Sequence, residues 1–372
     1  MRSAATAHLE QATHSASRTH RRRYNNRVIP HSRPSITDRD VERVAGVVRS
    51  GQLAQGPEVA ALERELAARL GVEAAAVVSS GTTALELALR ALDVGPGAEV
   101  LMPSYVCDAL HHAVSRCGAT AVLVDADPTT LSLAAKDAEA RRTARMRAVL
   151  VPHAFGLAVD LAPFRALGVP IIEDCAQALG AEVNGRPAGG AGALAVCSFY
   201  ATKMIAAGEG GAVVGPAALV ARVRDTREYD ERERLVPRVN AKLTDMQAAL
   251  ARSQLARLDA FIARRRAIAA RYRGRLARAE CRLPLDAGRQ HVYHRFVVGL
   301  ERDPAAVQAA LQSRGIAARR PVFRPLHRAL GLDGYPEADQ LWSSTLSIPC
   351  YPALSDDEVD EVADALLGVL RS

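Results

Sequence analysis

The segment AAAVVSSGTTALELALRAL (74–92) contains the two patterns that decide the fold. It begins with a continuous apolar run that ends at Val78 and is typical of a strand covered on both faces. Apolar residues at helical spacing begin near Ala84 and predict a helix. The two are joined by a short turn, Ser80-Gly81-Thr82-Thr83. Strands that lead through short turns into helices indicate an α/β fold.

The same alternation continues on both sides of this segment. Upstream, two helices are predicted, one opened by ThrAspArgAsp (37–40) and ended at Gly51, the other opened by Pro57 and ended at Gly71. Downstream come six more short apolar runs: EVLM (99–102), TAVLV (120–124), RAVLV (147–151), VPII (169–172), ALAVCSF (193–199) and GAVVG (211–215). We therefore predict an α/β body around a mainly parallel sheet.

The pattern changes after about residue 245. Residues 246–279 have apolar positions at helical spacing and predict one long helix or two. Beyond them, 291–300 alternates polar and apolar residues as a strand does, and 355–370 begins with a capping-box pair, Ser355 and Glu358. We expect a large domain over 29–245, followed over 246–372 by a linking helix and a smaller C-terminal α+β domain.

The charge of the chain is concentrated at its N-terminus. The formal net charge is +7 over 372 residues, but residues 1–33 contain seven arginines and a single acid, Glu10. The rest is close to neutral, which argues against a nucleic-acid-binding body. Residues 1–28 are predicted to be a disordered basic tail, although an Arg-rich, Ser-containing and acid-poor segment is also typical of a transit peptide.

Several classes of protein are excluded by composition. A content of 49% hydrophobic and 24% charged residues is that of a globular protein. No apolar run reaches the roughly 18 residues of a membrane-spanning helix, so no membrane association is expected. The six cysteines are scattered without metal-ligand spacing, which predicts reduced thiols and a cytoplasmic protein.

Three segments could carry chemistry, and the turn after the first strand is one of them. The amides and hydroxyls of Ser80, Gly81, Thr82 and Thr83 could bind a phosphate dianion at the N-terminus of the helix. The same hydroxyls could equally well serve only to cap that helix.

The second segment is PIIEDCAQALGA (170–181), where Glu173 and Asp174 follow an apolar strand. Ligands of open parallel sheets bind at this end of the strands, so an acid here could hold a cationic ring nitrogen or a metal. Only Cys175 is available nearby as a further metal ligand, and we predict no metal site. The alternative is a pair of exposed loop carboxylates.

The third segment, SFYATKMIAAGEGGAVV (198–214), contains Lys203 between a strand and a Gly-rich loop. Of the 48 lysines and arginines, only Lys136, Lys203 and Lys242 are lysines. A lysine withdrawn from water loses proton affinity and can act as a nucleophile that forms an imine. Because this chain uses arginine for its ordinary surface charges, Lys203 is a candidate nucleophile.

Together these segments resemble the DegT/DnrJ/EryC1/StrS aminotransferases. The resemblance extends from about Ile29 to the C-terminus and includes five further segments: 51–63, 122–133, 151–156, 240–250 and 346–359. It implies a pyridoxal 5'-phosphate (PLP) enzyme of the aspartate-aminotransferase fold (fold type I), with a mainly parallel seven-stranded sheet.

The resemblance also implies a role for each residue that matches the family's motifs. Lys203 would form the imine with the cofactor, and Asp174 would pair with its pyridine nitrogen. The remaining cofactor-binding positions are Ala176 against one ring face, Gln177 at the phenolic oxygen, Gly81, Thr82 and Ser198 at the phosphate, and Asn240 reaching the phosphate from a neighbouring subunit. The active site would therefore be shared across a homodimer interface.

One position departs from the family pattern. Where relatives commonly have an aromatic residue stacked on the cofactor ring, the count from Pro103 gives Cys107. Tyr105 lies two residues earlier and would point elsewhere in an extended segment. A thiol can pack on the ring but offers less contact area than an aromatic side chain. Alternatively, the alignment slips here and another aromatic residue fills the place.

The implied reaction moves an amino group from L-glutamate or L-glutamine to a keto sugar, nucleotide-linked in most relatives, or to a keto-cyclitol. Arg320, Arg324 and His327, in a run that also contains Arg319, are candidates to bind substrate phosphates or carboxylates. Three alternatives stay open: a PLP-dependent sugar dehydratase, although such relatives carry His in place of Lys203, a non-catalytic PLP-binding regulator, and a protein that binds nucleic acid through its tail.

Overall fold

The computed structural model describes residues 28–371. The predicted disordered tail, except for Val28, lies outside these residues. The helices are Asp38–Ser50, Pro57–Leu70, Gly81–Ala91, Ala109–Arg116, Ala135–Ala140, Ala162–Arg165, Ala217–Arg227, Asp245–Leu255, Leu258–Leu276, Pro304–Ser313, Leu326–Leu330, Pro336–Ser344 and Asp356–Arg371, with short 3-10 turns at Ala154–Gly156 and Gly288–Gln290. The strands are β1 Ala74–Val78, β2 Glu99–Pro103, β3 Thr120–Val124, β4 Met146–Pro152, β5 Ile171–Asp174, β6 Glu182–Val183, β7 Arg186–Pro187, β8 Leu194–Ser198, β9 Gly211–Gly215, β10 Cys281–Arg282, β11 Phe296–Leu300 and β12 Thr345–Ile348.

The main sheet has seven strands in the order β1-β9-β8-β5-β4-β2-β3. Only β9 is antiparallel to its neighbours, and the strands from β8 to β3 are paired in parallel. The predicted mainly parallel seven-stranded α/β fold is therefore confirmed. Because β1 has the same direction as the parallel group, the carboxyl ends of six strands meet at one edge.

Both faces of this sheet are buried, which explains its continuous apolar strands. Along β1, Ala76 and Val78 belong to one core cluster, whereas Ala75 and Val77 belong to another on the opposite face. Helix Gly81–Ala91 covers the first face with Leu85, Leu87 and Leu89, and helix Pro57–Leu70 covers the second with Leu62 and Leu66. Each fully buried leucine stabilises the fold by about 1.5–3 kcal/mol.

A second, antiparallel sheet is formed by β10, β11 and β12, and helix Asp356–Arg371 contributes to its core. The predicted capping box of this helix is present, since Ser355 N–H donates to Glu358 Oε2 (2.8 Å) and Glu358 N–H donates to Ser355 Oγ (3.1 Å). The alternating segment 291–300 is a strand only from Phe296 onward.

At two places in the chain, residues pack against a different domain from the one predicted for them. Ile29, the expected first residue of the large domain, pairs with Ile316 and lies in the core of the small sheet. Residues 246–279 form two helices, and the first, Asp245–Leu255, packs against the helices of the large sheet. The chain therefore passes from the large domain to the small domain at the break between the two helices, near Arg257. No helix in residues 28–371 has the length and apolar character needed to span a membrane.

Candidate active site

A cavity of about 350 Å³ opens at the edge where the six strands end. Eight of the residues selected from the sequence line it together: Gly81, Thr82, Cys107, Asp174, Ala176, Gln177, Ser198 and Lys203. They come from the ends of β1, β5 and β8 and from the loops that follow β2 and β8. The fold thus brings into one cavity groups that lie more than 100 residues apart in the chain.

The turn after β1 caps the following helix and also lines the cavity. Ser80 caps the helix, because its Oγ accepts a hydrogen bond from Thr83 N–H at 3.1 Å. The amides of Gly81 and Thr82 belong to the first helical turn, where backbone N–H groups have no intrahelical acceptor. Gly81 also packs tightly on Ser198: a Cβ at Gly81 would lie 2.9 Å from the Ser198 Cβ. This end of the cavity can therefore receive a phosphate.

The two acids at the end of β5 have different surroundings, because successive side chains of a strand point to opposite faces. The Glu173 carboxylate accepts hydrogen bonds from His153 Nε2 and from the amides of Gly189, Ala191 and Gly192, at 2.7–2.9 Å. Burial alone would raise its pKa, but these contacts lower it. Glu173 therefore holds the 189–192 loop, and it is not an exposed loop carboxylate.

Asp174 faces the cavity. It is 8% exposed, and its Oδ1 accepts a hydrogen bond from Ala176 N–H at 2.9 Å. Burial raises the pKa of this carboxyl, against the opposing effects of that amide and of Lys203. A cation placed against Asp174, such as a protonated ring nitrogen, would stabilise the ionised carboxylate.

Lys203 follows β8 in the loop closed by Gly208 and Gly210, both of which have positive φ. Burial lowers the pKa of the Lys203 ammonium, with partial opposition from Cys107 and Asp174 and a further lowering effect from Arg295. A larger fraction of Lys203 is therefore neutral near pH 7 than for an ordinary lysine, as a nucleophilic or basic amine requires.

Gln177 is fixed by the loop after β4. Its Oε1 accepts a hydrogen bond from Phe155 N–H at 2.7 Å, which leaves the side-chain NH₂ group as a donor for a ligand. Phe155 itself has φ 56°, an unfavourable conformation for a residue with a bulky side chain. The left-handed turn at Phe155 and the hydrogen bond to Gln177 thus support each other.

No aromatic residue occupies position 107, and Cys107 is accessible from the cavity. Tyr105 lines the cavity but is turned into the protein, where its hydroxyl bonds to Thr345 Oγ1 at 2.8 Å and its ring meets Phe155 edge-on. The other aromatic side chains on the cavity wall are Phe155 and Tyr200.

The three substrate-binding candidates from the arginine-rich run do not line this cavity. Arg320 stacks on Trp342 (4.3 Å from Cζ to the ring centroid) and pairs with Asp303. His327 is buried between Ser104 (2.6 Å) and Asp339 (3.0 Å). Arg324 is exposed outside the cavity. The residues of this run that do line the cavity are Pro321 and Val322, and Arg319 pairs through its backbone with Ser347.

Two further residues, Asn240 and Arg295, have different positions relative to the cavity. Asn240 is exposed and does not line the cavity of its own chain. Arg295, which the sequence did not single out, lines the cavity near Lys203 and Cys107. In a chain with so many arginines its identity carries no signal. Arg295 lies just before β11, and it reaches the cavity only because its loop contacts the distant loop at Phe155.

A match to a family model shows which protein family this chain belongs to. The model of the DegT/DnrJ/EryC1/StrS aminotransferase family matches residues 34–367. The chain belongs to this family. It is a PLP-dependent sugar aminotransferase, as the resemblance implied.

Individual relatives agree with this assignment. The chain is 34% identical to the UDP-N-acetyl-3-dehydro-alpha-D-glucosamine 3-aminotransferase of Acidithiobacillus ferrooxidans, with 90% of this chain and 95% of the relative covered. S. venezuelae DesV, solved with a ketimine intermediate, is 36% identical with a TM-score of 0.85 over 90% of this chain and 94% of that one. Streptococcus pneumoniae Spr1654 in its PLP form is 25% identical, with a TM-score of 0.88 over 92% and 99%.

The residues of the cavity fit PLP. The close approach of Gly81 to Ser198 leaves no room for a larger side chain where the phosphate would bind. Asp174 offers a buried acid for the ring nitrogen, Gln177 an unused NH₂ group for the phenolic oxygen, and Lys203 an amine of lowered pKa for the aldehyde carbon.

Proposed function

We propose that this sugar aminotransferase takes its amino group from L-glutamate or L-glutamine and transfers it to a nucleotide-linked keto sugar. The observation that carries the proposal is the convergence of Lys203, Asp174 and Gln177 on one cavity. The named substrate of the Acidithiobacillus ferrooxidans relative, a UDP-linked 3-dehydro sugar, supports the acceptor class.

In this proposal Lys203 is both the covalent anchor of the cofactor and the residue that moves the proton. PLP supplies an electron sink for the bonds around the donor's α-carbon. Once freed from the cofactor, the Lys203 Nζ would accept the proton from that carbon and deliver it to the carbon of the cofactor's aldehyde group. Its lowered pKa favours the neutral amine that this role needs.

Asp174 and Gln177 would act on the ring rather than on the substrate. The Asp174 carboxylate would keep a proton on the ring nitrogen, and burial strengthens that interaction because few water molecules compete for it. Gln177 would donate its NH₂ group to the phenolic oxygen, with Phe155 N–H fixing the orientation of the amide. Ala176 and Cys107 would contact the two faces of the ring.

We further propose that the active form is a homodimer in which Asn240 completes the phosphate site of the partner subunit. Asn240 ends an exposed segment without helix or strand that includes the apolar residues Tyr229, Leu235 and Val236. Three exposed apolar side chains within eight residues support an interaction surface in this segment.

A complementation experiment tests the shared site. Lys203→Ala and Asn240→Asp variants are purified separately, each with low activity expected, and then exchanged into mixed dimers. In a mixed dimer one site has both native residues, so activity should return. If the mixture stays as inactive as its components while exchange is verified by mass, each site is built from a single chain.

The reaction itself is tested in two steps. L-Glutamate or L-glutamine added to the PLP-loaded protein should convert the visible absorption to that of the pyridoxamine form. A UDP-linked keto sugar should then restore the original spectrum and yield an amino sugar, detected by mass spectrometry. A keto-cyclitol is tested in parallel as the other acceptor. A bound cofactor that no amino donor discharges would contradict the proposal and favour a regulator.

A further inference from the structure

Arg295 is a cationic side chain of the cavity without an acidic partner in the described part of the chain. Its guanidinium has one hydrogen bond there, a long one of 3.4 Å from NH1 to the carbonyl oxygen of Pro321. Two acids line the same cavity, Asp174 and Glu209, and neither forms an ion pair with Arg295. Largely buried arginines are nearly always paired, so the unused N–H groups indicate an anionic ligand.

The position of Arg295 is fixed by tight contacts between two loops. Arg295 N–H donates to Phe155 O at 3.1 Å, and Val292 N–H donates to Gly156 O at 2.8 Å. Gly156 has φ 100°, and a Cβ there would lie 2.6 Å from the His294 nitrogen, so only glycine allows this approach. Arg295 is therefore held at the cavity by the fold rather than by an ion pair.

The charges around Arg295 are predominantly positive. Lys203 shares its cavity, and Arg319 lines a second cavity that Arg295 also borders. Burial lowers the pKa of Arg295, and Arg319 lowers it further. Such a group of cations repels itself, and a bound anion would relieve the repulsion.

We propose that Arg295 binds a carboxylate of the amino donor next to Lys203. The inference rests on the proposed aminotransferase reaction and adds the residue that recognises the donor. In an α-amino acid the carboxylate is attached to the reacting carbon, so it must lie close to the lysine that moves the proton. A keto sugar has carbons with uncharged hydroxyl or amide groups at that place, and its diphosphate lies several bonds away. The guanidinium matches a carboxylate with two parallel hydrogen bonds.

The direct test is binding of succinate, a dicarboxylate that cannot react, to the PLP-loaded protein by calorimetry. Arg295→Gln should weaken succinate binding roughly 10- to 100-fold, the effect of losing a charge-assisted pair. Arg295→Lys keeps the charge without the two-pronged geometry and should lie between Gln and wild type. Arg320→Gln, which removes an arginine outside the cavity, should bind succinate as the wild type does.

The two half-reactions distinguish the donor from other sources of a carboxylate, such as an acidic keto sugar. In Arg295→Gln the L-glutamate half-reaction should lose kcat/KM by a similar factor, mainly through KM. The keto-sugar half-reaction of the pyridoxamine-loaded variant should be unchanged. PLP content and circular dichroism establish that the variant is folded. If Arg295→Gln does not fold, Arg295→Lys alone provides the comparison.

Unchanged succinate binding in Arg295→Gln, or in Arg295→Lys if Gln does not fold, would overturn the inference. A loss confined to the keto-sugar half-reaction would also overturn it and assign Arg295 to the acceptor. These outcomes differ from a failure of the proposed function, in which the wild-type protein itself would bind PLP but react with no amino donor.

Discussion

Two cationic regions of this aminotransferase have opposite surroundings. In the run 317–331, Arg320 and Arg328 both stack on Trp342, and His327 and Arg328 both contact Asp339. In the cavity, Lys203 and Arg295 have no ion pair within the described residues, although Asp174 is close enough to affect Lys203. The run has the denser cluster of basic residues in the sequence, yet the cavity has the cations that remain available to a ligand.

We infer from this difference that pairing, rather than the local number of cations, indicates which cations are free to bind a ligand. A stacked and hydrogen-bonded arginine already has its donors and its charge satisfied. A buried and unpaired lysine has a lowered pKa and a free amine. Substitutions in the two regions should therefore affect different properties, activity in the cavity and stability in the run.

The largest effect is expected at Lys203. Lys203→Ala removes the amine proposed both to anchor the cofactor and to carry the proton, so turnover should fall by at least about 10³-fold. Steady-state amino-sugar formation measures it. Lys136→Ala, at an exposed position, is the matched control and should leave turnover unchanged. Comparable turnover in Lys203→Ala and wild type would contradict the expectation that substitutions of the cavity cations affect activity.

The adjacent acids Asp174 and Glu173 give the next largest effect and separate activity from stability. Asp174→Asn should lower kcat by roughly 10²- to 10³-fold with little change in melting temperature, because the buried charge proposed to pair with the ring nitrogen is lost. Glu173→Gln should instead destabilise the fold, since its carboxylate holds four donors. Turnover and thermal unfolding of both variants measure this, and equal loss of kcat in the two would contradict it.

The sequence predicted the site better where a motif is local than where contacts are distant. The turn at Gly81, the acid at Asp174 and Lys203 all lie at strand ends, so the topology of a parallel sheet brings them together without further information. Arg295 reaches the cavity only because Gly156 and Tyr293 adopt positive φ and let two loops meet. Arg320 and His327 have their partners in Trp342 and Asp339, 22 and 12 residues further along the chain, and composition alone does not show such pairing.

A smaller effect is expected from pH, through the two histidines His31 and His291. Burial, together with nearby cations, lowers the pKa of His31 and of His291 from 6.5 to about 3, so both are neutral in the folded protein. The unfolded chain takes up protons below pH 6.5, and stability should therefore fall with pH from about 6.5 toward 3. The slope approaches roughly 1.4 kcal/mol per pH unit for each histidine.

Urea unfolding at pH 7.0, 6.0 and 5.0 measures this dependence. His31→Gln removes one titrating group and should give a shallower slope than the wild type. A free energy of unfolding that is constant over this range would mean that these histidines are as accessible to protons as those on the surface.

The smallest effect is expected in the arginine-rich run. Arg320→Gln removes a stacked, partly exposed cation, so it should lower the free energy of unfolding by about 0.5–1 kcal/mol and leave kcat/KM for both substrates unchanged. Thermal unfolding and steady-state kinetics measure the two properties. A fall in kcat/KM without a loss of stability would show that the run takes part in catalysis after all.

Borohydride reduction of the PLP-loaded protein tests the central claim most directly. The reagent delivers hydride to a lysine–cofactor imine and converts it to a stable secondary amine, which peptide mass spectrometry locates. The chain has only three lysines, so the assignment is unambiguous. We predict that the cofactor is found on Lys203 in the native protein. Label on Lys136 or Lys242, or active protein without label, would contradict the account.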